Sequence, residues 1–246
     1  MKNYKMVSLL VLLFPLVASQ ASATESWFDK GMDMLKSVEK TTAAKPSVGE
    51  MDLAFKQALR LGAEKVVKQL GQSNGFNADP AIHIPLPKEL NTVKSVLNKI
   101  GMSPLLDDLE LRLNRAAEAA TPKAQKLFLQ SISEMTFDDI KTIYNGPKDS
   151  ATRYFQRKMS PELSRQMQPI VEKSLAQAGA MQAFDRVVGE YQNLPFVPDV
   201  KANLTDYVVQ EGMDGIFYYI SQEEIAIREN PLKQTTALLQ KVFGPQ

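Results

Sequence analysis

Apolar side chains return every three or four residues through nearly all of the chain beyond its first few dozen positions, which is the period of a helix with one buried face. Between Gly49 and Gly71 the set Met51, Phe55, Leu59, Val66, Val67 and Leu70 lies on one such face. Leu105, Leu106, Leu109, Leu113 and Ala116 form another, with Asp107, Asp108, Glu110 and Arg112 pointing largely outward. The two-residue alternation of a half-buried strand is nearly absent. Leu194-Pro195-Phe196-Val197-Pro198 carries prolines that a central strand does not accommodate. The expectation is an all-α fold, a single multi-helix, bundle-like domain of about nine or ten helices. Ser103-Pro104, Thr121-Pro122 and Ser160-Pro161 read as helix starts, a hydroxyl cap followed by proline in the first turn. Thr136 with Asp139 and Ser221 with Glu224 have the spacing of capping boxes. Gly101, Gly146, Gly179 and Gly244 stand where helices should end.

The N-terminus reads as a sorting signal. Lys2 and Lys5 precede the apolar residues 6–17, and the small triplet Ala21-Ser22-Ala23 follows. The apolar stretch is about a dozen residues, short of the roughly 20 that span a bilayer as a helix. A secretory signal peptide over residues 1–23, cleaved after Ala23, makes the protein periplasmic, with no transmembrane segment in the mature chain. Residues 24–48 read as a short amphipathic helix holding Trp27, Phe28, Met32 and Leu35, then a linker, and residues 49–246 as the helical domain. Inside that domain the stretch from Gly71 to Pro87 is a long loop rich in Gly, Asn and Pro, and loops of this length in compact domains often carry function.

Composition removes several chemistries. The chain has no cysteine, so thiol nucleophiles, disulfides, Cys-ligated zinc and iron–sulfur clusters are excluded. Its one histidine, His83, would have to serve any triad, and it has no second imidazole to share a metal with. A net charge of +1 gives no electrostatic case for nucleic acid. Glu-x-x-His and EF-hand patterns are absent, so no metal site is expected. Phosphate-gripping glycine loops and the G-x-S-x-G turn are missing too, and no cofactor is implied. Lys56, Arg60, Lys65 and Lys68 form a basic stripe along one predicted helix, diluted by Glu64, and read as a solvated face.

The candidate binding residues are polar groups at helical spacing. Asn114 and Glu118 share a face, Arg115 can pair with Glu118, and the three together suit a carboxylate or phosphate, or else a structural clamp. Gly212-Met213-Asp214-Gly215 interrupts the helical pattern, permitting a kink or a close approach, with Asp214 at a cap or turn. Glu224 and Arg228 stand in the favourable order for an i,i+4 pair. His83, between Ile82 and Ile84, is a packed or hydrogen-bonded histidine or a ligand-binding one.

Four stretches resemble the exported bacterial proteins of domain-of-unknown-function family 4197. They are Asp79-Pro80-Ala81-Ile82-His83-Ile84-Pro85-Leu86-Pro87, Leu111-Arg112-Leu113-Asn114-Arg115-Ala116-Ala117-Glu118, and Ala151-Thr152-Arg153-Tyr154-Phe155. The last runs from Met213-Asp214-Gly215-Ile216-Phe217 through Glu223-Glu224 and Ile227-Arg228-Glu229-Asn230-Pro231 to Lys241-Val242-Phe243-Gly244. The resemblance implies an α-helical exported protein and no particular activity. In the family pattern position 83 is commonly basic rather than specifically histidine, which argues against essential imidazole chemistry there. The leading reading is a non-enzymatic periplasmic protein that binds a small envelope ligand or an envelope protein, at a groove near the Pro-rich loop and the C-terminal bend. The alternative is an enzyme acting on envelope glycan through one carboxylate, Glu118 or Glu224. A third is an assembly factor that docks through its N-terminal helix.

Overall fold

Each apolar stripe becomes the inner face of a helix in the computed structural model, which describes residues 45–136, 140–196, 198 and 201–245. The elements are α1 (Val48–Leu70), a 3-10 turn (Lys88–Leu90), α2 (Asn91–Lys99), α3 (Ser103–Glu134), α4 (Ile140–Asn145), α5 (Ser150–Ala178), α6 (Ala180–Gln192), α7 (Leu204–Glu229), a second 3-10 turn (Pro231–Lys233) and α8 (Ala237–Phe243). There is no strand among the described residues. The fold is all-α and forms a single domain, a compact unit that begins at Lys45. The expected signal peptide, the N-terminal amphipathic helix with most of its linker, and Asp139 of one expected capping box lie outside the described residues.

The long helices close a ring: α1 packs on α3 and α7, and α5 packs on the same two. One phenylalanine from each of three helices meets at its centre. Phe155 of α5 and Phe217 of α7 have ring centroids 5.5 Å apart, and Phe128 of α3 lies 5.7 Å from Phe217 and 6.3 Å from Phe155. These edge and tilted contacts add to the hydrophobic gain of burying the rings. Helix α6 packs along α3, with α2 against it, and α8 covers the outer end of α1.

The described residues hold eight α-helices, slightly fewer than expected, because several start signals lie inside longer helices. Pro122 sits within α3, and Pro161 and Pro169 within α5. An interior proline costs about 3 kcal/mol, so something must outweigh it. In α3 the buried positions Ala117, Ala120, Ala124, Phe128 and Ile132 run straight through Pro122. In α5 the buried Phe155, Leu163, Met167, Val171 and Leu175 run through both prolines. Breaking either helix would tear this stripe from the core. All three prolines are exposed, and in α5 the residues one turn upstream, Arg157 and Arg165, are exposed as well, so the carbonyls left there without an N–H partner can turn to water. Ser103 is the first residue of α3 rather than its cap, which is Met102.

The same logic corrects the C-terminal bend. Gly212-Met213-Asp214-Gly215 lies inside α7, whose buried Val209, Met213, Ile216, Ile220, Glu224 and Ile227 form one stripe. Ser221 is also interior and donates to the Tyr218 carbonyl instead of capping a new helix. The helix ends expected at glycine are present: Gly101 and Gly179 have φ of 80° and 72°, the left-handed region that a Cβ disfavours. Gly146 directly follows α4, and Gly244 caps α8.

Candidate functional site

Loop 71–87 is irregular, yet Phe76, Ile82, Ile84 and Leu86 bury their side chains in the main core. Burying those groups takes the adjoining backbone out of water, and its N–H and C=O groups then need partners. Helix α3 supplies them from residues spaced one turn apart. Glu118 Oε1 accepts from the N–H groups of Phe76 and Asn77 at 3.2 and 3.0 Å. Asn114, fully buried, accepts from Ile84 N–H at 2.9 Å and donates to the Ile84 carbonyl at 2.7 Å, as a neighbouring strand would. Glu110 takes Leu86 N–H on one oxygen and His83 Nε2 on the other, while His83 Nδ1 lies 2.9 Å from the Asn77 carbonyl. Arg115 pairs with Glu118 at 2.6 Å and donates to Ser73 Oγ and Asn74 Oδ1.

Helix α7 closes the loop from the other side. Tyr219 donates to Asp79, whose second oxygen accepts from Ala81 N–H and sets the turn. Tyr207 donates to the Pro85 carbonyl. Gly215 sets the contact distance: a Cβ built there would lie 2.9 Å from the Phe76 ring and 3.2 Å from Ile82 Cβ. The close approach that a glycine permits is thus realised at Gly215 against the loop, while Gly212 meets nothing within 4 Å, and the helix runs on through both.

Glu224 and Arg228 form a second centre away from the loop. Glu224 is fully buried and accepts from Ala151 N–H, Thr152 N–H and the Thr152 hydroxyl at the start of α5, as well as from Arg228 at 2.6 Å. The Arg228 guanidinium stacks 4.7 Å from the Phe55 ring centroid and 5.4 Å from that of Phe243, and it reaches the carbonyls of Ile143 and Tyr144. Here a carboxylate meets a helix N-terminus and a cation meets the last turn of α4, both in the sense favoured by the helix dipole. Asp214 stands apart from both centres, exposed on α7, where it accepts from Gln210 and Gln156.

The candidate residues therefore divide. His83, Asn114, Arg115 and Glu118 converge on the loop, Glu224 and Arg228 on the start of α5, and Asp214 on neither. The oxygens of Glu118 and Glu224 are occupied by donors from the fold, so neither presents a free carboxylate to a groove. Glu110, Asp79, Tyr207 and Tyr219 were not among the candidate binding residues. A line of Glu110, Asn114 and Glu118, four residues apart on one face, was the signal for the first of them. Among the described residues no group of three or more His, Asp or Glu side chains is gathered as a metal site.

Beside the loop opens a shallow groove of about 540 Å³, lined by Gln69, Gln72, Ser73, Asn74, Asp79 and Tyr219 among others. Its hydrogen-bonding groups are mostly neutral amides and hydroxyls. The Tyr219 phenol is pushed up to about 12, first by its hydrogen bond to Asp79, then by burial and the Asp79 charge. Burial, with the charges of Glu211, Glu110 and Glu89, likewise raises Tyr207 to about 12. Burial and the nearby Asp214 raise Glu211. A phenol whose folded pKa lies above its ordinary 10.0 favours the folded state below pH 10, and that contribution is lost as pH rises from about 10 to about 12. PH-jump absorbance should therefore show two tyrosines ionising near 12, one of them removed by Y219F and the other by Y207F. Ionisation of every tyrosine near pH 10 in the folded protein would contradict this.

The four stretches that carried the resemblance sit at these two centres. Residues 79–87 and 111–118 are the two sides of the loop clamp. Residues 151–155 accept the grip of Glu224, Met213 to Phe217 carries the loop contact at Gly215, and Phe243 stacks on Arg228. No curated protein and no solved structure matches the chain. The family model described as a protein of unknown function, DUF4197, matches residues 45–244, the whole helical domain. On that match, the chain belongs to the DUF4197 family.

Proposed function

We propose that this is an exported, non-catalytic binding or interaction protein of the bacterial envelope, sent to the periplasm by residues 1–23 and holding its ligand in the groove beside loop 71–87. The bracing of the loop carries this reading. A connector needs only to join α1 to the next element, whereas this one has its backbone held by Glu110, Asn114, Glu118 and Tyr207, and its Asp79 side chain by Tyr219. A loop held in one conformation loses little entropy on binding, and loops set on rigid scaffolds are where binding residues concentrate. The groove's amides and hydroxyls suit an uncharged, hydrogen-bonding ligand such as an envelope glycan or peptide segment. Native mass spectrometry of protein purified gently from the periplasm tests it. The expected result is a reproducible extra mass that is lost on denaturation and reduced in the Q72A/N74A variant. A clean apo mass, with no shift of loop amide resonances on saturating titration with envelope glycans and peptides, would contradict it.

A further inference from the structure

The basic stripe on α1 acquires a second side in the fold. Three hollows along the seam between α1 and α3 merge, since adjoining ones share Arg60 and Ser133, Pro122 and Gln125, and Glu64. The two largest have volumes of about 590 and 610 Å³. Together they extend along α1 from Leu53 to the end of the helix, roughly 25 Å at the rise of an α-helix. The charged residues lining them are Lys56, Arg60, Lys68, Lys123 and Lys126 against one acid, Glu64. Lys65 does not contribute; it turns away to Glu223 on α7.

Two features separate this groove from an ordinary solvated face. First, most of its charge is uncompensated: Lys56 pairs with Asp52, but the remaining cations face one acid, Glu64. Several basic residues elsewhere are paired, among them Arg112 and Arg186 with Asp108, Arg153 with Asp149, and Lys241 with Glu50. Arg60, Lys68 and Lys126 have no acidic partner among the described residues. Uncompensated charge along a concave, low-dielectric wall concentrates the field in the groove. Second, the groove has an apolar floor. Leu61, Leu129 and Leu238 are half-buried in it, and Leu53 at one end is 58% exposed.

We infer that this groove docks an acidic amphipathic helix of a partner protein, its apolar face on the leucines and its carboxylates against Arg60, Lys68 and Lys126. The shape selects among anionic partners. Leu61, Leu129 and Leu238, half-buried between helices, are reached by a cylinder laid along the seam, the helix-in-groove mode, and not by a flat bilayer surface. The inference is independent of the loop groove and stands or falls without it.

The test uses a fluorescent synthetic peptide of about 16 residues, long enough for the groove, with leucines on one helical face and glutamates on its flanks. A twin carries lysine in place of glutamate. Anisotropy titration of the purified protein should show binding of the acidic peptide only, weakening as salt rises. The double variant R60E/K126E, altered at two exposed positions, should bind it about tenfold less tightly or worse and gain affinity for the lysine twin. No binding, equal binding of both peptides, or binding unchanged in R60E/K126E would overturn the inference. So would sedimentation with phosphatidylethanolamine–phosphatidylglycerol vesicles that R60E/K126E abolishes while the acidic peptide fails to bind, an outcome that would make the surface a membrane contact.

Discussion

Replacing Glu224 by alanine should cost about 3–5 kcal/mol of folding stability, the penalty for leaving one member of a buried ion pair without its partner. Arg228 would keep its charge in an apolar setting between Phe55 and Phe243, and Ala151 and Thr152 would lose the acceptor of their N–H groups. For a domain of this size each kcal/mol moves Tm by roughly 2–4 °C, so the melting midpoint should fall by roughly 6–20 °C. E224Q should lose less, because an amide oxygen still accepts from Thr152 while the charge pairing is gone. Thermal melts followed by circular dichroism at neutral pH measure both. A loss below about 1 kcal/mol for E224A, the range of exposed pairs, would mean that the pair is hydrated rather than buried.

The second large effect concerns the loop. E118A should cost about 2–4 kcal/mol, since the buried Phe76 N–H left unsatisfied costs about 1–3 kcal/mol and the half-buried Asn77 N–H, which can partly reach water, adds about 1 kcal/mol. Arg115 keeps Ser73 and Asn74 and stays half-exposed, so its loss is smaller. E118Q can still accept from Phe76 and Asn77 and should cost about 1 kcal/mol, the worth of the charge-assisted bond to Arg115. Urea denaturation separates the two variants. Equal stability of wild type and E118A would contradict the clamp.

Much of this fold was legible because its helices are long and their stripes continuous. Met51, Phe55, Leu59, Val66, Val67 and Leu70 are all buried, as their spacing requires. The errors came from weighing local punctuation above that continuity. Thr121-Pro122 and Ser160-Pro161 look like starts because a hydroxyl before proline is a good cap, yet the buried positions run uninterrupted past both. The Glu224–Arg228 and Arg115–Glu118 pairs could be read from spacing alone. Their surroundings could not, because the groups that complete them come from far away in the chain: Thr152 is 72 residues from Glu224, and Phe76 is 42 from Glu118. For the same reason Glu110 looked like a solvated residue, since its partners His83 and Leu86 belong to a loop that no periodicity describes.

The account rests on loop 71–87 being a fixed platform rather than a slack connector, and native-state amide hydrogen exchange tests that most directly. Phe76, Asn77, Ile84 and Leu86 should exchange slowly, comparably to neighbouring helical amides, because each donates to Glu110, Asn114 or Glu118. In E118A the protection of Phe76 and Asn77 should collapse while the core of α3 and α5 stays protected. Fast exchange of all four amides in the wild-type protein, with the helices protected, would contradict the account.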